Sequence, residues 1–165
     1  MIETTFTPDA ANLRAFRDAL GRFATGVCVV TTQGPDGPMG FTANSFASLS
    51  LDPPLVLWSP ARASSRFAVY AAARFFAIHV LAAGEATLAE RFLRGGAGFA
   101  GLAHALNDEG VPVIPSTLAR FDCLQHATHD GGDHLIVVGR VLRARAASGA
   151  PLVFCAGCYG GFVPG

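Results

Sequence analysis

The chain has 165 residues, 51% of them hydrophobic and only 15% charged, with twelve basic side chains balancing twelve acidic ones. That length suits one domain with a single core. The even charge gives no basic footprint for nucleic acid, no apolar run is long enough to span a membrane, and the absence of lysine removes Schiff-base chemistry.

The opening "MIETTFTPDA" has neither a basic start nor an apolar run, so no secretory leader is read and a cytoplasmic protein is expected. Residues 1–9 read as a flexible arm on a domain covering 1–165. From 10 to 24, Leu13, Phe16, Leu20 and Phe23 recur at helical spacing, and Gly26 is expected to end that helix. "VCVVTTQ" reads as a strand, "GPDG" at 34–37 as a turn, and "PMGFTANSF" as the return of a hairpin. "PPLVLWSP" is a buried strand with its prolines at one end, "ASSRFAVYAAA" a helix led by serines, and "RFFAIHVLA" a further strand. "GEATLAERFLRGG" is a helix closed by Gly95 and Gly96. A second hairpin runs through "TLARFDCLQHATH" and "DHLIVVGRVLRARAA" across "DGGD", and "PLVFCAG" is the last strand. Hairpins outnumber βαβ signals, so the expected fold is mainly β: an antiparallel split barrel with a few flanking helices. No GxGxxG turn joins a strand to a helix, which excludes a Rossmann nucleotide site.

Four cysteines are present, and Cys155 and Cys158 form a CxxC among glycines, poor material for the helix start that activates a redox thiol. No second ligand pair stands at zinc spacing, so no metal is expected and the thiols are read as inertly packed, with a redox or metal role for Cys155 and Cys158 as the alternative. Histidines 79, 104, 126, 129 and 134 compose neither a triad nor a metal cluster, since His126 and His129 point to opposite faces of a strand.

Three segments carry chemistry. Read as extended chain, "TANSFAS" puts Thr42, Asn44, Phe46 and Ser48 on one side. Short hydrogen-bonding groups against apolar walls from the next strand suit a flat heteroaromatic ring, and the small Gly40, Ala43 and Ala47 allow close backbone approach. The same residues also read as a locally satisfied Ser/Thr bend. In "SPARASSRFAVY", Ser64 and Ser65 at a helix start with Arg62 and Arg66 would hold a phosphate, or simply cap the helix. In "GGDHLIVVGRV", Asp133 and His134 follow a tight turn and place an imidazole at a barrel mouth, unless the histidine only bonds backbone.

In order along nearly the whole chain, "LGRFATGVCVVTT" (20–32), "GFTANSFASLSLDPPLVLWSP" (40–60), "ARASSRF" (61–67), "FFAIHVLAAGEATLAERF" (75–92), "FAGL" (99–102) and "GGDHLIVVGRV" (131–141) resemble the flavin reductase family with the FMN-binding split barrel. The resemblance implies FMN or FAD along residues 41–48, with contacts from Phe41, Thr42, Ala43, Asn44, Ser45 and Ser48. It places Ser59, Ser64, Ser65 and Arg66 near the ribityl phosphate. Asp133, His134 and Tyr159 would line the nicotinamide pocket, His134 seating NADH or NADPH against the ring. It also implies a homodimer that hands reduced flavin to a partner monooxygenase. The implied reaction is NAD(P)H-dependent flavin reduction, in which the cofactors carry the chemistry and no strong acid–base pair is needed. The alternatives are a flavin carrier or redox sensor without NAD(P)H turnover, supported by the unusual "FCAGCYGG" strand, and a ligand-free dimerisation barrel.

Overall fold

The run Cys28–Thr32 is β-branched at four of its five positions and wholly buried, because it is covered on both faces. It lies within a computed structural model that describes residues 3–95 and 98–165. In chain order the elements begin with α1 (Leu13–Leu20), β1 (Thr25–Gly26), β2 (Cys28–Gly34), β3 (Gly37–Ala43), β4 (Ala47–Leu51) and β5 (Pro54–Trp58). Next come α2 (Phe67–Ala72), β6 (Phe75–Val80), α3 (Ala86–Arg91), β7 (Ala105–Leu106) and β8 (Pro112–Val113). The long hairpin β9 (Ala119–Gly131) and β10 (His134–Ala146) follows, then β11 (Leu152–Cys155) and β12 (Cys158–Gly161).

Seven strands form one antiparallel sheet in the order β3-β2-β6-β9-β10-β5-β4. Its edges, β3 and β4, are consecutive in the chain yet not hydrogen-bonded to each other. The sheet nevertheless curls: Phe41 of the β3 edge meets Trp58 of β5 edge-to-face at 5.6 Å, although four strands separate β3 from β5 in the sheet order. Inside the curl, Trp58, Tyr70 and Phe76 are fully buried, and the Tyr70 hydroxyl donates to the Val30 carbonyl at 2.9 Å. A second apolar cluster sits outside the sheet, where Val27, Val29 and Leu81 pack against Phe92, Phe99, Ile114 and Leu152. A three-stranded sheet, β1-β11-β12, borders that cluster.

Both expected hairpins are present, with turns at Pro35–Asp36 and Gly132–Asp133. Helix α1 is shorter than its spacing indicated and ends at Gly21, where the Gly21 carbonyl accepts the Ala156 N–H at 2.8 Å; Gly26 lies in β1 instead. Helix α3 stops at Arg91, Gly95 follows with φ +77°, and Gly96 lies outside the described residues. Strand β12 was not legible beforehand, because glycines at 157, 160 and 161 mask a strand that, among the described residues, pairs with β11 alone. Among the described residues no helix is long and apolar enough to cross a membrane.

Candidate functional site

The stretch from 41 to 50 is not one extended ribbon. β3 stops at Ala43, the chain bends through Asn44–Phe46, and β4 resumes at Ala47. The bend turns Phe46 away from Thr42 and Asn44 and into the core, where it stacks on Phe121 at 5.6 Å. The expected alternation of Thr42, Asn44, Phe46 and Ser48 on one face is therefore corrected: only Thr42 and Asn44 share a surface. Ser48 is exposed on the edge strand β4, opposite Val56. Phe41 is likewise a core residue, in edge contact with Trp58 and Tyr70.

Thr42, Ala43 and Asn44 form one side of a cleft of about 130 Å³, whose other walls are Val27, Leu93, Phe154 and Tyr159. That volume is smaller than the pockets that bury a whole ligand, about 300–1,000 Å³, so the cleft has room for part of one. The ribbon is fixed from behind. The Thr42 hydroxyl donates to the Ala89 carbonyl at 2.5 Å and its N–H to the Phe92 carbonyl at 3.2 Å, both at the end of α3. Phe92 approaches β3 closely at Gly40, where a Cβ would lie 2.2 Å from the ring. Facing the ribbon, Phe154 and Tyr159 are directly paired across β11–β12, their rings 5.5 Å apart. Burial in the cleft, and then the charge of Glu90, hold the Tyr159 hydroxyl above the ordinary tyrosine range. Peptide groups and an amide on one side, with aliphatic and aromatic walls on the other, fit a planar heteroaromatic ring with a polar edge.

Arg66 is placed differently from the sequence expectation. It is 7% exposed, and its guanidinium donates to the carbonyls of Gly40 (2.9 Å), Phe92 (2.7 Å) and Leu93 (3.0 Å) while lying 4.2 Å over the Phe41 ring. It clamps β3 to the end of α3 and is not among the cleft-lining residues. The serines before α2 also differ from the expected helix cap, because α2 begins only at Phe67. Ser64 Oγ accepts the Arg66 N–H at 3.3 Å in a local turn, and Ser65 is exposed toward a separate surface hollow lined by Pro35–Met39. Ser45 and Ser59 form a pair: the Ser59 N–H donates to Ser45 Oγ at 2.9 Å, tying the bend to the end of β5.

The turn histidine lies beside that loop. His134 bridges to Ala61, the Arg62 N–H donates to the Asp133 carbonyl at 2.9 Å, and His134 Nδ1 donates to Asp133 Oδ1 at 2.7 Å. The bond from His134 holds the Asp133 carboxyl below its usual range, with Arg17 of α1 adding to the effect. With Nδ1 engaged, Nε2 is the ring nitrogen left for a ligand. The structure thus brings together two groups that the sequence proposed apart: Thr42, Ala43, Asn44 and Tyr159 in the cleft, and Ser59, Asp133 and His134 around the 59–62 loop. Sequence reasoning missed Val27, Leu93 and Phe154. Their only signal was apolarity, and the walls come from distant segments rather than from the next strand.

Residues 20–162 match the flavin reductase like domain family. An FMN reductase (NADH), SmoA, from Agrobacterium fabrum is 58% identical over 97% of this chain and 92% of its own length. The reductase subunit HsaB of a flavin-dependent monooxygenase from Rhodococcus jostii is 39% identical over 94% of this chain and 81% of its own. Among solved structures, the NADH:FAD oxidoreductase SgcE6 of Streptomyces globisporus, in complex with NAD and FAD fragments, superposes with a TM-score of 0.90. It is 34% identical and covers 98% of both chains.

Proposed function

Because this chain belongs to the flavin reductase family, we propose that it transfers hydride from NADH or NADPH to FMN or FAD and releases the reduced flavin to a partner monooxygenase. The observation that carries this reading is the cleft: a peptide-and-amide ribbon, Thr42–Asn44, faces the aromatic pair Phe154 and Tyr159. Relatives named as an NADH-dependent FMN reductase and as a monooxygenase reductase subunit support the donor and the partner. When bound, the flavin supplies the hydride acceptor. The protein's part is to position the ring on Thr42, Ala43 and Asn44, cover it with Tyr159, and present the nicotinamide through His134 and Asp133. Ser45, Ser59 and Ser64 are the neutral groups toward the phosphate-bearing tail; Arg66 holds the frame behind the ring. The active form is a homodimer in the reducing cytoplasm, in keeping with exposed apolar side chains and four free cysteines.

The test is anaerobic: protein is mixed with NADH or NADPH and free FMN or FAD, and flavin absorbance is followed. Catalytic bleaching of excess flavin is the expected result. A protein that binds flavin but never bleaches it would be a carrier instead. Nothing favours that alternative, since the unusual last strand still places an aromatic pair in the cleft.

A further inference from the structure

We infer that Cys155 and Cys158 form a peroxide-responsive thiol pair, whose intramolecular disulfide braces the hairpin carrying Phe154 and Tyr159 and slows flavin turnover. The kinetic part rests on the flavin reductase reading; the disulfide itself does not.

The hairpin geometry comes first. Cys155 and Cys158 are direct register partners on β11 and β12, joined by the two-residue turn Ala156–Gly157. Both turn residues have positive φ, 49° and 82°, as a tight hairpin turn of the primed type requires. Residues opposed in an antiparallel pair lie about 5.5 Å apart at Cα, inside the range of about 4.4–6.8 Å that a disulfide spans. Strand alternation puts the two thiols on one face of the ribbon and Phe154 and Tyr159, the next pair inward, on the other. A CxxC read from sequence is judged by whether it starts a helix; here the strand register, which the glycines concealed, sets the two cysteines directly opposite each other.

Reactivity is selective. Cys158 is exposed and Cys155 half-buried, its Sγ 3.6 Å from the Gly21 carbonyl. Cys28 and Cys123 are buried, and burial pushes both thiols up to about 12, with Asp122 adding to the rise at Cys123. Burial therefore shields Cys28 and Cys123, while Cys158 stands at the surface. Among the described residues no third ligand joins the pair to make a metal site.

Reduced flavin that escapes a partner reacts with dioxygen to give oxidised flavin and hydrogen peroxide, so idle turnover generates the oxidant. One thiolate attacks a peroxide oxygen, the O–O bond breaks, hydroxide leaves and a sulfenic acid forms. The second thiol attacks that sulfur, the S–S bond forms, the S–O bond breaks and water leaves. Two thiols and one peroxide become one disulfide and two waters, two electrons passing from sulfur to oxygen. Among the described residues β12 pairs with β11 alone, so a covalent link at the turn keeps Tyr159 beside Phe154 and retards exchange of flavin past them.

The experiment treats the whole protein with stoichiometric hydrogen peroxide, then records intact mass, peptide maps and anaerobic flavin bleaching before and after. Expected are the loss of two hydrogens, a Cys155–Cys158 cross-link, an about threefold fall in turnover, and recovery of both with a thiol reductant. C158S keeps wild-type turnover and is indifferent to peroxide. Oxygen addition without a cross-link, a cross-link between chains, or an internal cross-link with unchanged turnover would overturn the inference. Absence of bleaching before oxidation would defeat the flavin reductase reading instead, while the mass data would still report on the thiols.

Discussion

His79 has a demand on it that no ligand makes. Fully buried, its Nδ1–H donates to the Val29 carbonyl at 3.1 Å while Nε2 accepts the Ile114 N–H at 3.0 Å, so only one neutral tautomer satisfies both partners. Burial lowers its pKa from the ordinary 6.5 to about 4, the Val29 bond opposing and Arg120 adding to the shift. The folded state therefore prefers neutral imidazole: its contribution is complete above pH 6.5 and is lost as pH falls from 6.5 through about 4. At about 1.4 kcal/mol per pKa unit the loss is on the order of 3 kcal/mol. Urea midpoints of wild type and His79→Gln should converge as pH is lowered over that window; a constant gap would remove this role. Arg66 makes a different demand, since three carbonyls share its planar fork. Arg66→Lys should cost about 1–3 kcal/mol in urea unfolding and weaken flavin binding, because Leu93 belongs both to the clamp and to the cleft wall. At the turn, His134→Ala should raise the KM for NADH severalfold and leave the flavin Kd nearly unchanged. The reverse pattern in steady-state kinetics and titration would displace His134 from the donor side.

Among the elements, the end of α3 governs the site although it contains no chemistry. Its Phe92 and Ala89 carbonyls hold Thr42, and its Phe92 ring fills the space left by Gly40. Gly40→Ala should overpack this contact at a cost of about 1–3 kcal/mol, read as a lower urea midpoint; an unchanged midpoint would mean that the ring gives way freely. The two long hairpins were legible because "GPDG" and "DGGD" are turn chemistry between β-branched runs. Thr42 and Asn44 were singled out as short polar groups on an extended segment, Ala43 as a small neighbour and Tyr159 through the family resemblance, and the structure sets all four around one cleft. The bend at Asn44–Phe46 was not, since Phe46 leaves the ribbon for a partner, Phe121, that is far away in sequence. Nor could charge alone tell that Arg66 would be drawn inward by three carbonyls; that depends on where α3 ends.

On the scale of the whole molecule, the apolar side chains that the curled sheet does not cover matter most. Leu13, Phe16, Leu20 and Phe23, the set read at helical spacing, are 60%, 40%, 59% and 80% exposed, and α1 buries none of its residues within the chain. A helix with so strong an apolar stripe needs a partner surface, which accords with the proposed homodimer. Light scattering should give about 34 kDa, twice the 17.1 kDa chain, and a mass near that of one chain would contradict it. The two halves of the proposed site meet at Ser45, which follows Asn44 and whose Oγ accepts the Ser59 N–H, while the pairing of β5 with β10 sets the 59–62 loop beside Asp133–His134. The central claim, that flavin lies on Thr42–Asn44, is tested most directly by titrating FMN into wild type and Asn44→Trp. Asn44 is exposed and lines the cleft, so the indole fills the ring's place without disturbing the core. The account expects saturable binding to wild type and at least tenfold weaker binding to the variant at unchanged Tm. Equal affinity for both proteins would contradict it.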